Sequence, residues 1–457
     1  MIREIQRLAL AFVLGFVTMG LVAAYWAVVE RDSVLSRDDN PRRVQAEARL
    51  LRGALYDRHE RLLVSSTTQA NGRALRRTWH EAFYGTLGYA SLRYGVGGLE
   101  AVYDPLLRGQ ALAETLAGRL ERDLLHRPQR GFDLRLSLDL GLQERLATLM
   151  EGKRGAVVAL NAQTGEMLAL LSRPSYNPNT LDADWEALTV DTDNPFFNRV
   201  LQGRYQPGGA LQTVHMLTAL LRADDLAQVY EGAAQPVTLD DLRLSCALPA
   251  EREALTLAEA YRLGCPAAFL QWSQFQPEQS LSQALQAFGL LSVPSIDGMN
   301  AASGPVSEAS VLLGSSKSAE ILGQGRQTIS PLALARLLMA ARNEGSAPPI
   351  RLLLAIRPPD GEWQLVEQLQ APQGFITRQA AEGLSALLRD NLASAGRAYW
   401  GGHVALANSG QQALGWFVGF VDRADWRVVL VAVLEEQADG LRVLAFGLDA
   451  LRAIDQP

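Results

Sequence analysis

The chain has 457 residues, 48% apolar and 20% charged, with a formal net charge of −6. That length exceeds one compact core and implies two or three domains, while the composition excludes wholesale disorder. The chain is net acidic and has no basic block, which argues against a nucleic-acid partner. Its basic residues are uneven: 41 are Arg and two are Lys, Lys153 and Lys317. A GC-rich genome would account for that bias, yet any lysine-dependent chemistry has only two candidates.

Leu8 to Val29 is a run of 22 residues without a charge. At 1.5 Å per residue it spans roughly 33 Å, enough for the ~30 Å core of a bilayer. Arg3 and Arg7 precede it, favouring a cytoplasmic tail at 1–7 and an exported remainder. A cleaved signal peptide ending near Val22-Ala23-Ala24 is the rival. Its apolar region would be roughly 7–15 residues, shorter than this run, so an uncleaved anchor at 8–29 is preferred.

Residues 30 to about 48 read as a polar juxtamembrane linker. Apolar pairs in 51–66 flank a Tyr-Asp-Arg-His turn and predict two short strands. Residues 111–126 carry the spacing of an amphipathic helix. Phe132 to Leu140 alternates strictly, with Leu134, Leu136 and Leu138 on one strand face. Leu140–Met150 reads as a helix, and Arg154–Leu171 as two strands around a turn at Asn161–Gly165. Leu211–Leu221 is an apolar helix after Pro207-Gly208-Gly209. Two apolar strands flank Asp422–Asp425, and Leu441–Ile454 closes as a helix. This order predicts an α/β (α+β) domain on a mainly antiparallel sheet. Cys246 and Cys265 are the two cysteines. In an exported chain a disulfide between them and a pair of small unpaired side chains are both open.

Several segments resemble, in order, the class B penicillin-binding proteins, bitopic transpeptidases that cross-link peptidoglycan. Asn40-Pro41-Arg42 and Arg52-Gly53-Ala54-Leu55-Tyr56-Asp57-Arg58 are similar to the signature of the membrane-proximal domain. Gly97-Gly98-Leu99-Glu100, Tyr103-Asp104 and Leu107-Arg108-Gly109 follow its next segment. Ser137-Leu138-Asp139 with Leu142-Gln143, Gly155 to Glu166, and Ser175 to Asn179 resemble the opening of the transpeptidase domain. Tyr205-Gln206-Pro207-Gly208, Gly323-Gln324-Gly325 with Ser330-Pro331-Leu332, and Trp416-Phe417-Val418-Gly419 complete the set. The resemblance implies a transpeptidase-like domain at 131–457, an antiparallel sheet flanked by helices plus a helical subdomain. It follows a smaller membrane-proximal pedestal at 30–130.

That family acylates a serine with the motifs S-x-x-K, S-x-N and K-T/S-G. A hydroxyl needs an adjacent base, and a lysine one helical turn later can take its proton. Here the nucleophile position holds Gly209 and the base position Gln212. The second motif reads Gly264-Cys265-Pro266, and the third Asn408-Ser409-Gly410, with its glycine leaving room on an edge strand. Neither lysine is preceded by a serine at the required spacing: Met150 stands before Lys153 and Gly314 before Lys317. A relocated site finds no support. His403 and Ser409 on one strand would lie roughly 20 Å apart, and Thr213 points about 100° away from the lost base position. His215 is expected to satisfy a local helix contact. The five histidines, His59, His80, His126, His215 and His403, lack metal-ligand spacing, so no metal or cofactor is expected.

Three eroded motifs with different replacements fit natural loss better than a laboratory knockout. The expectation is therefore a non-catalytic, single-pass scaffold or regulator of peptidoglycan synthesis, with no catalytic residues and weak or no β-lactam binding. By the resemblance, its anchor and pedestal would contact a polytopic glycan polymerase or division and elongation proteins that set cell shape. An active transpeptidase with unusual residues and a non-covalent ligand sensor remain as alternatives.

Overall fold

The computed structural model describes residues 2–28, 47–110 and 130–456, apart from 301–315 and positions 240, 278, 293, 298, 369, 411 and 425. The triplet at 40–42, most of the expected linker, the expected helix at 111–126 and His126 lie outside the described residues.

Helix α1 (Ile2–Val28) carries an apolar span, Ile5–Ala23, of mean hydropathy 1.9 with none of it buried. Its length and composition suit a single-pass membrane anchor.

The 51–66 segment forms β1 (Leu55–Tyr56) and β2 (Leu62–Thr68), an antiparallel pair, and β3 (Ala74–Thr78) extends it. Asp57 fixes the intervening turn: its carboxylate accepts from the N–H groups of His59 and Arg61 and from Arg61 Nε. Such an Asx turn is why Asp suits that position. Strand β4 (Asp133–Leu136) pairs parallel with β1, with Leu134 and Leu136 buried. Strands β5 (Gly155–Asn161) and β6 (Met167–Arg173) follow α2 (Leu140–Leu149), whose N-cap Asp139 accepts from Leu142 N–H. Strands β7 (Leu353–Arg357) and β8 (Gln364–Leu365) return to β4, giving a six-stranded sheet in the order β8-β7-β4-β1-β2-β3. Thus the sheet begun by residues 55–78 is completed by strands from beyond residue 131.

The second sheet is wholly antiparallel, in the order β9-β10-β11-β5-β6, with β9 (Trp400–Ser409), β10 (Gln412–Asp422) and β11 (Arg427–Glu435). Its interior strands β10, β11 and β5 are almost continuously apolar and buried, because helices cover both faces. Helix α8 (Gly440–Asp455) packs on β10, and α6 (Pro331–Arg342) packs on β11. Helix α7 (Arg378–Asn391) packs on β9, and helices α3 (Gln212–Arg222), α4 (Leu257–Leu263) and α5 (Pro266–Ser273) lie between β6 and β7 in sequence.

Residues quoted as the membrane-proximal signature meet in one buried ionic network. Arg52 Nε donates to Glu100 Oε2 at 2.9 Å, and Arg76 Nε donates to Glu100 Oε1 at 2.7 Å. Arg52 also reaches Asp104 at 2.5 Å, and Arg76 donates to the Gly53 carbonyl at 2.7 Å. Gly53 itself is wedged so tightly that a Cβ would overlap the Phe132 carbonyl. Glu100 is 2% exposed and compensates two guanidiniums in low dielectric. Glu100→Ala should therefore cost roughly 3–5 kcal/mol, read as a lower denaturant midpoint at unchanged m value.

Candidate functional site

The segment Tyr205–Gly208 is held before the site by main-chain and side-chain contacts. Tyr205 and Ile329 exchange N–H···O bonds at 3.0 and 2.9 Å. Gln206 Nε2 donates to the Gly325 carbonyl at 2.7 Å, and Trp416 Nε1 donates to the Gln206 carbonyl at 3.0 Å. The chain then makes a 3-10 turn, Gly208–Leu211, that runs into α3 one residue later than the apolar pattern suggested. Gly208 has φ +48° and no space for a Cβ against Ala407 on β9. Gly323, at φ +63°, faces Gly208 from the other side, its carbonyl accepting the Gly208 N–H at 2.9 Å. Only glycines allow two backbones this close at positive φ.

Gly209, which the sequence resemblance sets where the family has its nucleophile, lies on that 3-10 turn. A Cβ built there would stand 3.1 Å from the Ala405 Cβ, tighter than ordinary contact. Gln212 is 4% exposed, and its Oε1 has no partner among the described residues.

Gly264-Cys265-Pro266 forms the corner between two helices. Gly264 ends α4 in the left-handed conformation at φ +66°, and Pro266 begins α5 at its first turn. Each residue is the usual choice for its place: glycine tolerates positive φ, and proline lacks an N–H that the first turn could not pair anyway. A side chain at 264 would meet Ala247 Cβ at 2.8 Å and the Val404 carbonyl at 2.9 Å. The two cysteines left open by the sequence are bridged, with Cα atoms 3.9 Å apart, tying the segment after Leu244 to this corner.

Asn408 is half-buried near the end of β9. Gln324 reads its backbone with both amide atoms: Nε2 donates to the Asn408 carbonyl at 2.9 Å, and Oε1 accepts from the Asn408 N–H at 3.3 Å. Ser409 and Gly410 are exposed. The reason given above for Gly410 is corrected: nothing lies within 4 Å of a Cβ there, and the glycine serves a hairpin turn at φ +60°.

A cavity of about 200 Å³ collects these parts. Gly209, Gln212, Gly264, Pro266 and Asn408 line it, and Ser409 and Gly410 do not. Among the described lining residues Arg243 is the only charged group and Ser245 the only hydroxyl. Both stand on the disulfide-tied wall and are exposed. Arg243, Ser245 and Gln324 were not singled out as site residues by sequence. Gln324 sat in a recognised block, whereas the other two carry no local signal.

Beneath the turn, His403 stacks on Tyr261 with ring centroids 4.1 Å apart, and its Nε2–H donates to the Gly209 carbonyl at 3.3 Å. Tyr261 OH and Thr213 Oγ1 are 3.0 Å apart. His215 does not make the expected local helix contact. Its Nε2–H donates to the distant Ile321 carbonyl at 2.8 Å, and its ring lies against Phe269. These groups are buried beneath the turn, and His403 Nδ1 has no partner among the described residues. No cluster of metal-ligating side chains occurs among the described residues.

Residues 155–448, well over half of the chain, match the family described as "Penicillin binding protein transpeptidase domain". Peptidoglycan D,D-transpeptidase PbpA of Mycolicibacterium smegmatis is 26% identical over 482 aligned positions, covering 98% of this chain and 96% of that protein. Peptidoglycan D,D-transpeptidase MrdA of Escherichia coli K12 is 39% identical over 133 positions, 27% of this chain and 21% of MrdA. Among solved structures, the imipenem acyl-enzyme complex of penicillin-binding protein A from M. tuberculosis superposes with a TM-score of 0.77 at 24% identity, covering 90% of this chain and 99% of that one. The fold is that of the class B penicillin-binding proteins, and the chain belongs to the penicillin-binding-protein transpeptidase family.

Burial pushes His215 and His403 down to about 4 from the usual 6.5. Their folded-state pKa values lie below the unfolded ones, so unfolding takes up protons between about pH 6.5 and 4. Stability from these two groups is present above that window and is lost as pH falls through it. The melting temperature should drop steeply from pH 6.5 to 4, and His403→Gln should flatten part of that slope.

Proposed function

We propose that this chain is a non-catalytic member of its family, a scaffold or regulator of peptidoglycan synthesis at the cell envelope. The content of the cavity carries this reading. The positions that the sequence resemblance assigns to nucleophile, base, relay and anion clamp line one space, and the described residues lining it include no nucleophile–base pair. Gln212 has no basic nitrogen, and neither lysine lines the cavity. Lys153 donates to the Leu149 carbonyl, and Lys317 is exposed at the start of a short helix. Ser245 has no lysine or histidine lining the cavity beside it. The replacements are also built into the backbone: a serine at 264 would need a left-handed φ and a displaced wall.

On this reading residues 8–29 anchor the protein with residues 1–7 in the cytoplasm. Residues 30–130 form the pedestal and 131–457 a transpeptidase-like domain outside the membrane. The partners are a polytopic glycan polymerase or division and elongation proteins, reached through the anchor and pedestal. The names of the relatives support the cell-wall setting. A second reading, a non-covalent ligand sensor, is favoured by one observation, the unpaired and buried Gln212 Oε1 at the cavity.

Incubation with a fluorescent penicillin followed by a denaturing gel should leave no labelled band. A band that survives boiling would overturn the reading. Gly209→Ser combined with Gln212→Lys should likewise fail to acylate at a rate ordinary for the family. Pro266 and Asn408 still lack the relay and clamp, the new Cβ is crowded by Ala405, and catalytic groups act as a unit.

A further inference from the structure

The network around Glu100 turns the family-like pedestal residues inward, so an outward-facing surface has to be sought elsewhere in the same sheet. Strand β3 is its free edge. The Trp79 N–H donates to the Leu63 carbonyl and the Gln69 N–H to the Arg73 carbonyl. Odd positions therefore face β2, and the N–H and C=O groups of Ala74, Arg76 and Thr78 point off the sheet. The side-chain amide of Asn179 occupies those of Thr78, accepting its N–H and donating to its carbonyl, both at 2.9 Å. It thereby imitates a neighbouring strand. No backbone or side chain among the described residues pairs with the outward groups of Ala74 and Arg76.

The side chains beside this open edge have a definite character. Leu75 and Trp79 are 45% and 46% exposed, and Arg77 lies between them with its guanidinium 4.5 Å from the Trp79 ring centre. Residues 62–80 contain three arginines and no Asp or Glu. Arg76 is spent on Glu100, whereas Arg73 and Arg77 are exposed and have no ionic partner among the described residues. Short length and charge alone would blunt an edge against aggregation. An exposed Leu and Trp on the same strand work against that purpose and suit an anchored contact.

We infer that β3 is a docking edge for an extended, acidic segment of a partner protein, which adds as a strand to Ala74–Arg76 and sets apolar and acidic side chains against Leu75, Trp79 and Arg77. A second copy of this chain is disfavoured, because β3 against β3 would bring Arg73 and Arg77 onto like charges. The inference names the kind of partner for the scaffold reading and rests on that reading only for its biological meaning. The binding itself is measurable whether or not the cavity is catalytic. A penicillin-labelled band would sink the scaffold reading and leave the docking result standing.

The test uses the full chain in detergent micelles and a blocked peptide of alternating valine and glutamate, with valine–lysine as its counterpart. The expected result is salt-sensitive binding of the acidic peptide alone, with hydrogen-exchange protection appearing at the Ala74 and Arg76 amides. Ala74→Pro removes only an outward N–H, and Arg77→Glu reverses an exposed charge. Each should weaken binding about tenfold or more, with an unchanged melting temperature confirming the fold. Because the second variant leaves the backbone untouched, it decides the matter if the first misfolds. Equal affinity for the two peptides, binding without protection at 74 and 76, or no binding at all would overturn the inference. So would dimerisation abolished by either variant, or binding to anionic vesicles that Trp79→Ala abolishes in the absence of peptide binding.

Discussion

The cleft depends on a contact between backbones that leaves no room for side chains. A Cβ on Gly208 would strike Ala407 of β9, and a Cβ on Gly323 would strike the Gly208 backbone. This sandwich fixes the 3-10 turn against the edge of the second sheet and brings Gly209, Gln212 and Asn408 onto one cavity. It is independent of catalysis, because positive φ and close packing are needed whether position 209 carries a hydroxyl or not. The packing of the Tyr205–Gly208 and Gly323–Gly325 blocks therefore does not depend on which side chains stand at 209 and 212.

The replacements differ in how far they are reversible on physical grounds. Gln212 is a side-chain change on an intact helix, and a lysine of similar length could stand there. Gly209 needs a neighbour to yield by a few tenths of an ångström. Gly264 and Pro266 are part of the backbone path itself, a left-handed helix end followed by a proline-started helix, with the Cys246–Cys265 bridge between them. The wall they form carries Arg243 and Ser245, so among the described lining residues the only charge and hydroxyl enter from a segment outside the three motif positions.

The pedestal shows the opposite pattern. Arg52, Gly53, Glu100 and Asp104 look like a functional signature in sequence but are consumed by folding, since two buried guanidiniums require the Glu100 carboxylate. Tyr103 bonds Asp297, whose carboxylate also accepts from Leu352 and Leu353, so the same segment is stitched to the strand region that completes the first sheet. The exposed edge of this sheet is formed instead by less family-like residues, those of β3 and its flanks.

Sequence alone determined the elements whose signals are local. The uncharged run in α1, the alternation of Leu134, Leu136 and Leu138, the turn at Asn161–Gly165 and the closing helix are periodicities of two or 3.6 residues, which adjacent side chains set by themselves. The absence of any S-x-x-K sequence was also legible, because residue identity needs no fold. Gly264 and Pro266 carried a readable helix stop and start that a motif comparison passed over. Tertiary structure alone decided the rest: that Arg52 meets Glu100, that Cys246 meets Cys265, that His215 reaches Ile321, that Gln324 pairs with the backbone of Asn408, and that Ser409 falls outside the cavity. The partners in these contacts lie from 19 to 106 residues apart. Such pairings depend on how sheets and helices close on one another, and no local pattern in the chain encodes them.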